Sequence, residues 1–175
     1  MNILAGQFGG RNIKTSQKLP YRPTKSIVRK SIFDTLNPFT YESVLDLFSG
    51  SGIFGFEAAS RGARSVTFVE NHYRTFSLIK KNAELLSGPQ YKFYQKDVFS
   101  FLDGKRSYDL IFADPPYSKY DIESLAETIL KHLNKNGKFI LECDRGQMTF
   151  LDDVEKRAKK LEHFVLKLTN FFFSF

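Results

Sequence analysis

The sequence predicts an α/β protein with a mostly parallel, doubly wound sheet. From residue 43 onward, short apolar segments alternate with stretches of helical periodicity, a pattern typical of βαβ units. A glycine-rich turn at residues 49–52 joins the first of these apolar segments to a helical stretch, and another apolar segment, 108–113, ends at two successive prolines. Ligands of open α/β sheets bind beyond the carboxyl ends of the strands, so both features are candidate site elements.

Each element is predicted from its periodicity and from the residues that bound it. Apolar segments with the length of strands lie at residues 43–48, 65–69, 91–95, 108–113 and 137–142. Apolar residues at helical spacing lie at residues 52–61, 72–86, 98–102, 122–133 and 152–160. The tail, 163–175, predicts one bent strand or two short ones. Its three consecutive phenylalanines, 171–173, are expected to be covered or paired in the sheet.

The first forty residues form a separate, basic extension in this prediction. A short strand at 2–5, a turn at Gly9-Gly10 and a returning strand at 12–14 precede a loop at 20–23. Thr24 is a plausible N-cap for a helix over residues 25–36, and Pro38 closes that helix. We therefore divide the chain into an extension, 1–40, and a main domain, 41–175.

Charge is distributed unevenly along the chain. Residues 1–40 carry seven basic side chains and one acidic one, whereas the remainder carries 19 basic and 18 acidic side chains. A clustered basic segment is the expected footprint of phosphate binding. The alternative is a solvated face that aids solubility. Because nearly all of the net positive charge lies in residues 1–40, we favour contact with nucleic acid.

Composition excludes several other classes. A chain of 175 residues with 42% hydrophobic residues fits one globular domain. No apolar stretch approaches the 18 or so residues of a membrane span, and the first residues lack a secretion signal, so we expect the cytoplasm. A single cysteine, Cys143, excludes an intrachain disulfide. The three histidines show no ligand spacing, so we expect no metal site.

The glycine-rich turn leaves two cofactors open. Residues 50–55 satisfy the loose G-x-G-x-x-G pattern of dinucleotide sites, and Glu70 ends the next strand, where it could bind a ribose diol. A nicotinamide or flavin dinucleotide would place its pyrophosphate at the helix N-terminus. S-adenosylmethionine carries no phosphate, and its methionine end is cationic. Asp46, close before the turn, suits that cationic end better than a pyrophosphate.

Two further acids follow predicted strands. Asp97 comes after the strand at 91–95, where it could accept a hydrogen bond from an adenine amino group or act as a helix N-cap. Asp114 begins the tetrapeptide 114–117, Asp-Pro-Pro-Tyr. Two prolines force a rigid, extended exit from the sheet, which would present one carboxylate, one free carbonyl and one aromatic face. That set suits a flat heterocycle with an amino group. The alternative is a Pro-rich turn that only ends the strand, and such turns are common.

Together these features resemble class I S-adenosylmethionine-dependent methyltransferases that act on exocyclic amino groups of nucleic-acid bases. More specifically, the chain resembles the RsmD family of bacterial ribosomal RNA methyltransferases over roughly residues 1–145. The elements that carry this resemblance are Ile3-Leu4-Ala5-Gly6 with Gly10-Arg11, Arg22-Pro23-Thr24 with Val28-Arg29, Asp46 to Gly55 with Glu57-Ala58 and Ser60-Arg61-Gly62-Ala63, and Asp114-Pro115-Pro116-Tyr117.

The resemblance implies a Rossmann-like methyltransferase fold with a seven-stranded sheet and an N-terminal β-hairpin. It implies N2-methylation of one guanine in small-subunit ribosomal RNA, on an assembled or partly assembled subunit. The cofactor would then be held at its methionine end by Asp46, Ser49, Gly50 and Gly52, at its ribose by Glu70, and at its adenine by Asp97 and Val98. The target guanine would be held by Asp114, Pro115 and Tyr117. RNA contacts are expected from Arg11, Arg22, Thr24, Lys25 and Arg29.

Other functions fit parts of the pattern. A DNA adenine or cytosine methyltransferase shares the Asp-Pro-Pro-Tyr element but usually needs a separate recognition region. A protein glutamine or small-amine methyltransferase often carries Asn where Asp114 stands. A dinucleotide-dependent oxidoreductase is allowed by the glycine pattern alone, and a non-enzymatic RNA-binding module by the basic segment alone. We expect a monomer, because no coiled-coil pattern is visible.

Overall fold

A computed structural model describes residues 1–15, 25–116, 119–143, 156, 158 and 164–169. The described helices are α1 (Ser26–Thr35), α2 (Ile53–Ser60), α3 (Tyr73–Ala83), α4 (Val98–Leu102) and α5 (Ile122–Leu130). The described strands are β1 (Ser43–Leu47), β2 (Ser65–Val69), β3 (Gln90–Tyr94), β4 (Tyr108–Ala113), β5 (Leu133–Cys143) and β6 (Phe164–Thr169). The predicted alternation of strands and helices is confirmed, and β2, α4 and β4 have the predicted bounds.

All six strands form one parallel sheet in the order β3-β2-β1-β4-β5-β6. The strands β2 and β3 lie on one side of β1, and the chain then crosses to the other side of β1, where β4 lies. This reversal of strand order opens a crevice at the carboxyl ends of β1 and β4. Six of the seven strands implied by the family resemblance lie within the described residues, and the seventh stays a prediction.

Helices cover both faces of the sheet, which confirms the doubly wound architecture. One core cluster joins α4 and α5 to one face through strand residues such as Leu45 and Ile111. A second cluster joins α1, α2 and α3 to the opposite face through residues such as Val44 and Leu110. Successive side chains of a strand point to opposite faces. The central strands β1 and β4 are buried on both faces and are therefore mostly apolar, whereas Lys92 of the edge strand β3 is exposed.

The N-terminal segment pairs with itself less than the sequence predicts. A single antiparallel bridge joins Asn2 to Asn12, where the sequence predicts two strands. The Ile3 N–H donates to the Arg11 carbonyl at 3.0 Å. Residues 5–10 form bends and turns, so only the ends of the segment are extended enough to pair.

A buried carboxylate on α2 anchors this segment to the main domain. Glu57 is 0% exposed and accepts hydrogen bonds from the N–H groups of Leu4, at 2.6 Å, and Ala5, at 3.2 Å. The Arg61 Nε donates to the same carboxylate at 2.8 Å. Residues 4 and 5 are thus held directly against α2 by a paired, hydrogen-bonded charge.

Two further buried polar side chains complete the attachment. Ser60 accepts from the Phe8 N–H at 2.8 Å. Asn82 on α3 accepts from the Lys14 N–H and donates to the Lys14 carbonyl, both at 3.0 Å. We call Glu57, Ser60 and Asn82 the N-terminal clamp. The clamp makes residues 1–15 part of the surface formed by α2 and α3.

Some predicted boundaries differ from the structure for local reasons. Helix α1 begins at Ser26 with Lys25 at the N-cap position, so the prediction of Thr24 as the cap is wrong. His72 caps α3 and is not its first residue. The chain reverses at Lys131, and β5 begins at Leu133, inside the predicted helix. The loop at 20–23, the phenylalanines at 171–173 and most of the predicted helix 152–160 lie outside the described residues.

Candidate active site

The candidate site lies where β1 and β4 run side by side and end together. Leu47 lies opposite Val69 of β2 and Ala113 of β4. The residues that follow these strands, the glycine turn, Glu70 and Asp114, therefore share one rim. Asp97 follows β3 on the same rim. The structure thus brings together the acids that the sequence analysis selected.

The glycine turn has the backbone that its sequence predicts. Gly50 and Gly52 have positive φ angles, 54° and 80°. A Cβ on Gly52 would lie 2.6 Å from the Phe56 ring. Both the left-handed backbone and this close approach require glycine. Gly52 is the N-cap residue of α2, so the turn leads directly into a helix N-terminus.

Asp46 is an almost fully buried carboxylate beneath this turn. It is 3% exposed, and its Oδ2 accepts a hydrogen bond from the Gly55 N–H at 3.0 Å. Burial raises the pKa of Asp46 well above 3.8, and the negative charges of Asp114 and Glu70 raise the pKa further. The N–H bond from Gly55 only partly offsets these effects. A positively charged ligand would relieve this concentration of negative charge.

Ser49 fixes the ends of two strands. Its hydroxyl donates to the Asp46 carbonyl at 2.5 Å and accepts from the Val69 N–H at 3.0 Å. Both bonds go to backbone groups of β1 and β2, so the side chain holds the turn in place. Its predicted contact with a cofactor stays a prediction.

Glu70 links the end of β2 to the glycine turn. Its Oε2 accepts from the Gly50 N–H at 3.0 Å, and its Oε1 accepts from the His72 N–H at 2.8 Å. Burial raises the pKa of Glu70, while these two hydrogen bonds lower it. A carboxylate has about four acceptor sites, so these two bonds do not use all of the acceptor capacity of Glu70, and its contact with a ribose stays a prediction.

Asp97 acts as a helix cap, one of the two roles left open by the sequence. Its Oδ1 accepts from the Phe99 N–H at 2.9 Å at the start of α4. Its Oδ2 accepts from the Tyr120 hydroxyl at 3.0 Å. Val98 is 3% exposed and belongs to the core. The predicted adenine contacts of Asp97 and Val98 stay predictions.

Sequence reasoning missed Tyr120. This residue precedes α5, and its ring lies edge-on to the Phe48 ring, with centroids 5.0 Å apart. Burial and the hydrogen bond to Asp97 raise the pKa of Tyr120 to about 12. An aromatic residue soon after Asp-Pro-Pro-Tyr is a weak signal by itself, since no local pattern connects it with Asp97.

Asp114 and Pro115 follow β4 directly. Asp114 is half-buried and Pro115 is buried. Asp114 lies close enough to Asp46 for its charge to affect the pKa of that residue, so the Asp-Pro-Pro element and the glycine turn face one crevice. Tyr117 lies outside the described residues.

The basic residues of the N-terminal segment differ in their surroundings. Arg11 and Lys25 are exposed, and Arg11 Nη1 donates to the Leu85 carbonyl at 2.6 Å. Arg29 is 2% exposed, and its Nη2 donates to the Asn2 carbonyl at 2.9 Å. This burial on the inner side of α1 gives no support to the predicted RNA contact of Arg29, which stays a prediction. Arg22 and Thr24 lie outside the described residues.

Among the residues that the structure describes, no group of three His, Cys, Asp or Glu side chains could hold a metal ion. None of the described helices is long and apolar enough to cross a membrane.

Comparison with known proteins identifies the family. The family model described as "Conserved hypothetical protein 95" matches residues 1–164. "Ribosomal RNA small subunit methyltransferase D" of Buchnera aphidicola is 31% identical over 150 residues, covering 83% of this chain and 78% of that protein. The chain belongs to the RsmD family of methyltransferases.

Solved structures agree with RsmD-family membership. The yhhF protein of Escherichia coli superposes with a TM-score of 0.69 at 28% identity, covering 78% of this chain and 76% of the other. Ribosomal protein L11 methylase of Lactobacillus delbrueckii superposes with a TM-score of 0.68 at 19% identity, covering 85% and 76%, which shows the shared fold alone. The Rossmann-like methyltransferase fold is confirmed, and the oxidoreductase alternative is excluded.

Proposed function

We propose that this protein transfers a methyl group from S-adenosylmethionine to the exocyclic N2 amino group of a guanine in small-subunit ribosomal RNA. The Buchnera relative's name states the ribosomal substrate. The observation that carries the proposal is the pairing of β1 with β4, in which Asp46 lies opposite Phe112 and Leu47 opposite Ala113, so that Asp114 follows the strand beside Asp46 and the glycine turn. This arrangement supports the proposal, because an acid able to accept from a base amino group would lie next to a site suited to a cationic cofactor.

The rim fits S-adenosylmethionine better than a dinucleotide. The raised pKa of Asp46, increased by Asp114 and Glu70, marks a site that favours a cation and disfavours a pyrophosphate. Asp46 and the backbone of Gly50 and Gly52 would hold the methionine end, Glu70 the ribose and Asp97 the adenine. When bound, the cofactor supplies an electrophilic methyl group on a sulfonium.

The Asp-Pro-Pro-Tyr element would hold the target base. The guanine amino group is a poor nucleophile, because its lone pair is delocalised into the ring. Asp114 and the Pro115 carbonyl would each accept one of its N–H bonds, which aligns the nitrogen and stabilises positive charge developing on it. Taking the base out of its stack costs a few kcal/mol. Stacking on Tyr117 would recover about 1–3 kcal/mol of that cost.

The N-terminal segment would hold the phosphates that flank the target base. Arg11 and Lys25 are exposed, and Arg22 and Thr24 complete the predicted contact set. The N-terminal clamp supports this role, since it fixes the position of residues 4–14 relative to the catalytic rim. Phosphate contacts of this kind set register and do not read the base. In this proposal residues 1–40 bind RNA and residues 41–175 catalyse.

The decisive experiment is mass mapping of small-subunit ribosomal RNA from cells with and without this protein. When the protein is absent, we expect one guanine to carry hydrogen in place of the methyl group, with the corresponding loss of mass. Purified protein should restore the methyl group when S-adenosylmethionine is supplied. Naked RNA, assembled subunits and DNA should be compared as substrates. Unchanged RNA masses, or transfer to DNA alone, would contradict the proposal. We expect a monomeric enzyme that works in the cytoplasm, where ribosomal subunits assemble.

A further inference from the structure

Tyr120 connects residues that follow two different strands of the sheet. It lies near the end of the segment that begins with Asp114 after β4, yet its hydroxyl donates to Asp97, which follows β3. The strand order separates β3 from β4 by three positions, roughly 14 Å at about 4.8 Å per strand. The Tyr120 hydroxyl therefore lies beside the end of β3, while Asp114 follows β4, and the carboxyl ends of β2 and β1 lie between these two positions.

The ring and the hydroxyl of Tyr120 both lie among the rim residues. The ring centroid is 5.0 Å from that of Phe48, with the planes at 69°, and 6.1 Å from that of Phe99. The hydroxyl is near enough to Glu70 for that carboxylate to contribute to the raised pKa of Tyr120. Tyr120 thus contacts or adjoins the acids assigned above to the ribose and the adenine.

We propose that Tyr120 is a positioning residue for the cofactor's adenine, acting through Asp97, and that it joins the adenine subsite to the segment holding the target base. This inference rests on the proposed function. The Phe99 N–H fixes Oδ1 of Asp97 at 2.9 Å, and the Tyr120 hydroxyl fixes Oδ2 at 3.0 Å. Held at both oxygens, the carboxylate keeps one orientation in which its remaining lone pairs accept an N–H from an adenine amino group.

The test compares two nucleosides that differ at the adenine amino group. The substitution Tyr120→Phe removes the hydroxyl and keeps the ring beside Phe48. We expect about tenfold weaker binding of S-adenosylhomocysteine, since the lost bond is one to a charged acceptor. Binding of S-inosylhomocysteine, which has a carbonyl oxygen in place of the amino group, should change less than about twofold, because it offers Asp97 no amino donor. Isothermal titration calorimetry measures both.

Two further variants separate this role from general damage. Tyr73→Phe makes the same chemical change on a tyrosine that is 69% exposed on α3, and should leave both affinities unchanged. Asp97→Asn keeps a residue able to cap α4 but removes the carboxylate. In that background Tyr120→Phe should have less than about a twofold effect, because both substitutions act on one interaction.

The outcomes are distinguishable. Two results for Tyr120→Phe would overturn the positioning role: an equal loss of affinity for both nucleosides, or no loss of affinity for S-adenosylhomocysteine. In either case, methyl transfer by the wild-type protein would still support the proposed function. A wild-type protein that binds neither nucleoside would overturn the proposed function and this inference with it.

Discussion

The carboxylates of Asp46, Glu70 and Asp97 each accept at least one backbone N–H at the rim of the sheet. These bonds hold the carboxylates in place and use only part of their acceptor capacity. What remains is a set of hydrogen-bond acceptors with negative charge. A complementary ligand therefore brings N–H groups, hydroxyl groups and positive charge.

A substitution at Asp114 tests the catalytic role of a single residue. Asp114→Asn keeps the size of the side chain and removes its charge. We expect kcat to fall by about 10²–10³-fold, the usual effect of removing one group that stabilises transition-state charge. The dissociation constant for S-adenosylhomocysteine should change less than about threefold, since the proposed contacts of Asp114 are with the base. Asp103→Asn, at an exposed residue after α4, is the matched control, and near-normal turnover in Asp114→Asn would contradict the mechanism.

Asp46 should make the stability of the free protein depend on pH. Its pKa is raised in the folded state, so between its ordinary value of 3.8 and the raised value the native state binds more protons than the unfolded chain. Stability should therefore fall as pH rises through that interval. Asp46→Asn, which can still accept from Gly55, should reduce this slope in thermal unfolding. Part of the slope should persist, because Glu70 has a raised pKa as well; an unchanged slope would contradict the assignment.

At the scale of elements, the N-terminal segment depends on α2. Glu57→Gln leaves Arg61 without its charged partner at 2.8 Å in a buried site. Breaking a buried pair of this kind costs about 3 kcal/mol of the free energy of unfolding. The control is Glu42→Gln, which breaks an exposed pair with Arg64 at 3.4 Å and should cost about 0.5 kcal/mol or less. Urea unfolding measures both, and equal effects would show that the clamp contributes little.

Two glycines of the same segment allow a second matched comparison. Gly6 and Gly10 both have φ near +81°, but a Cβ on Gly6 would lie 1.9 Å from the Ser60 carbonyl oxygen, whereas a Cβ on Gly10 meets nothing within 4 Å. Gly10→Ala should cost about 1 kcal/mol for its backbone conformation. Gly6→Ala should cost at least about 2 kcal/mol more, because α2 and the segment must separate. Similar urea midpoints for the two variants would contradict the close approach.

At the scale of the whole molecule, exposed basic side chains such as those of Arg11 and Lys25 are the proposed RNA contacts outside the candidate site. Lys25→Ala should weaken binding to small-subunit RNA and lower the slope of log affinity against log salt by about 0.7–0.9, the value for one phosphate contact. Lys105→Ala, at an exposed lysine before the amino end of β4 and so opposite the rim that carries the candidate site, should leave the slope unchanged. Filter binding across a salt series measures both, and equal slopes for the two variants would place the RNA elsewhere.

The local order of the chain was predictable because its signals are local. The periodicity of residues 43–130, the glycine turn and the proline pair each lie within a few residues of sequence. They were sufficient to predict β2, α4 and β4 with their bounds, and the acids Asp46, Glu70 and Asp114 at strand ends. The end of α5 was misplaced because Leu133, apolar in either element, begins β5.

The sequence by itself determined the alternation of strands and helices, the methyltransferase motifs and the identity of the rim acids, since each depends on spacing between near neighbours. Only the tertiary structure decided that Arg29 is buried, that Glu57 holds the backbone of Leu4, and that Tyr120 reaches Asp97. The last two contacts join residues 53 and 23 positions apart. No short-range pattern encodes such pairs, because their distance is set by strand order and helix packing.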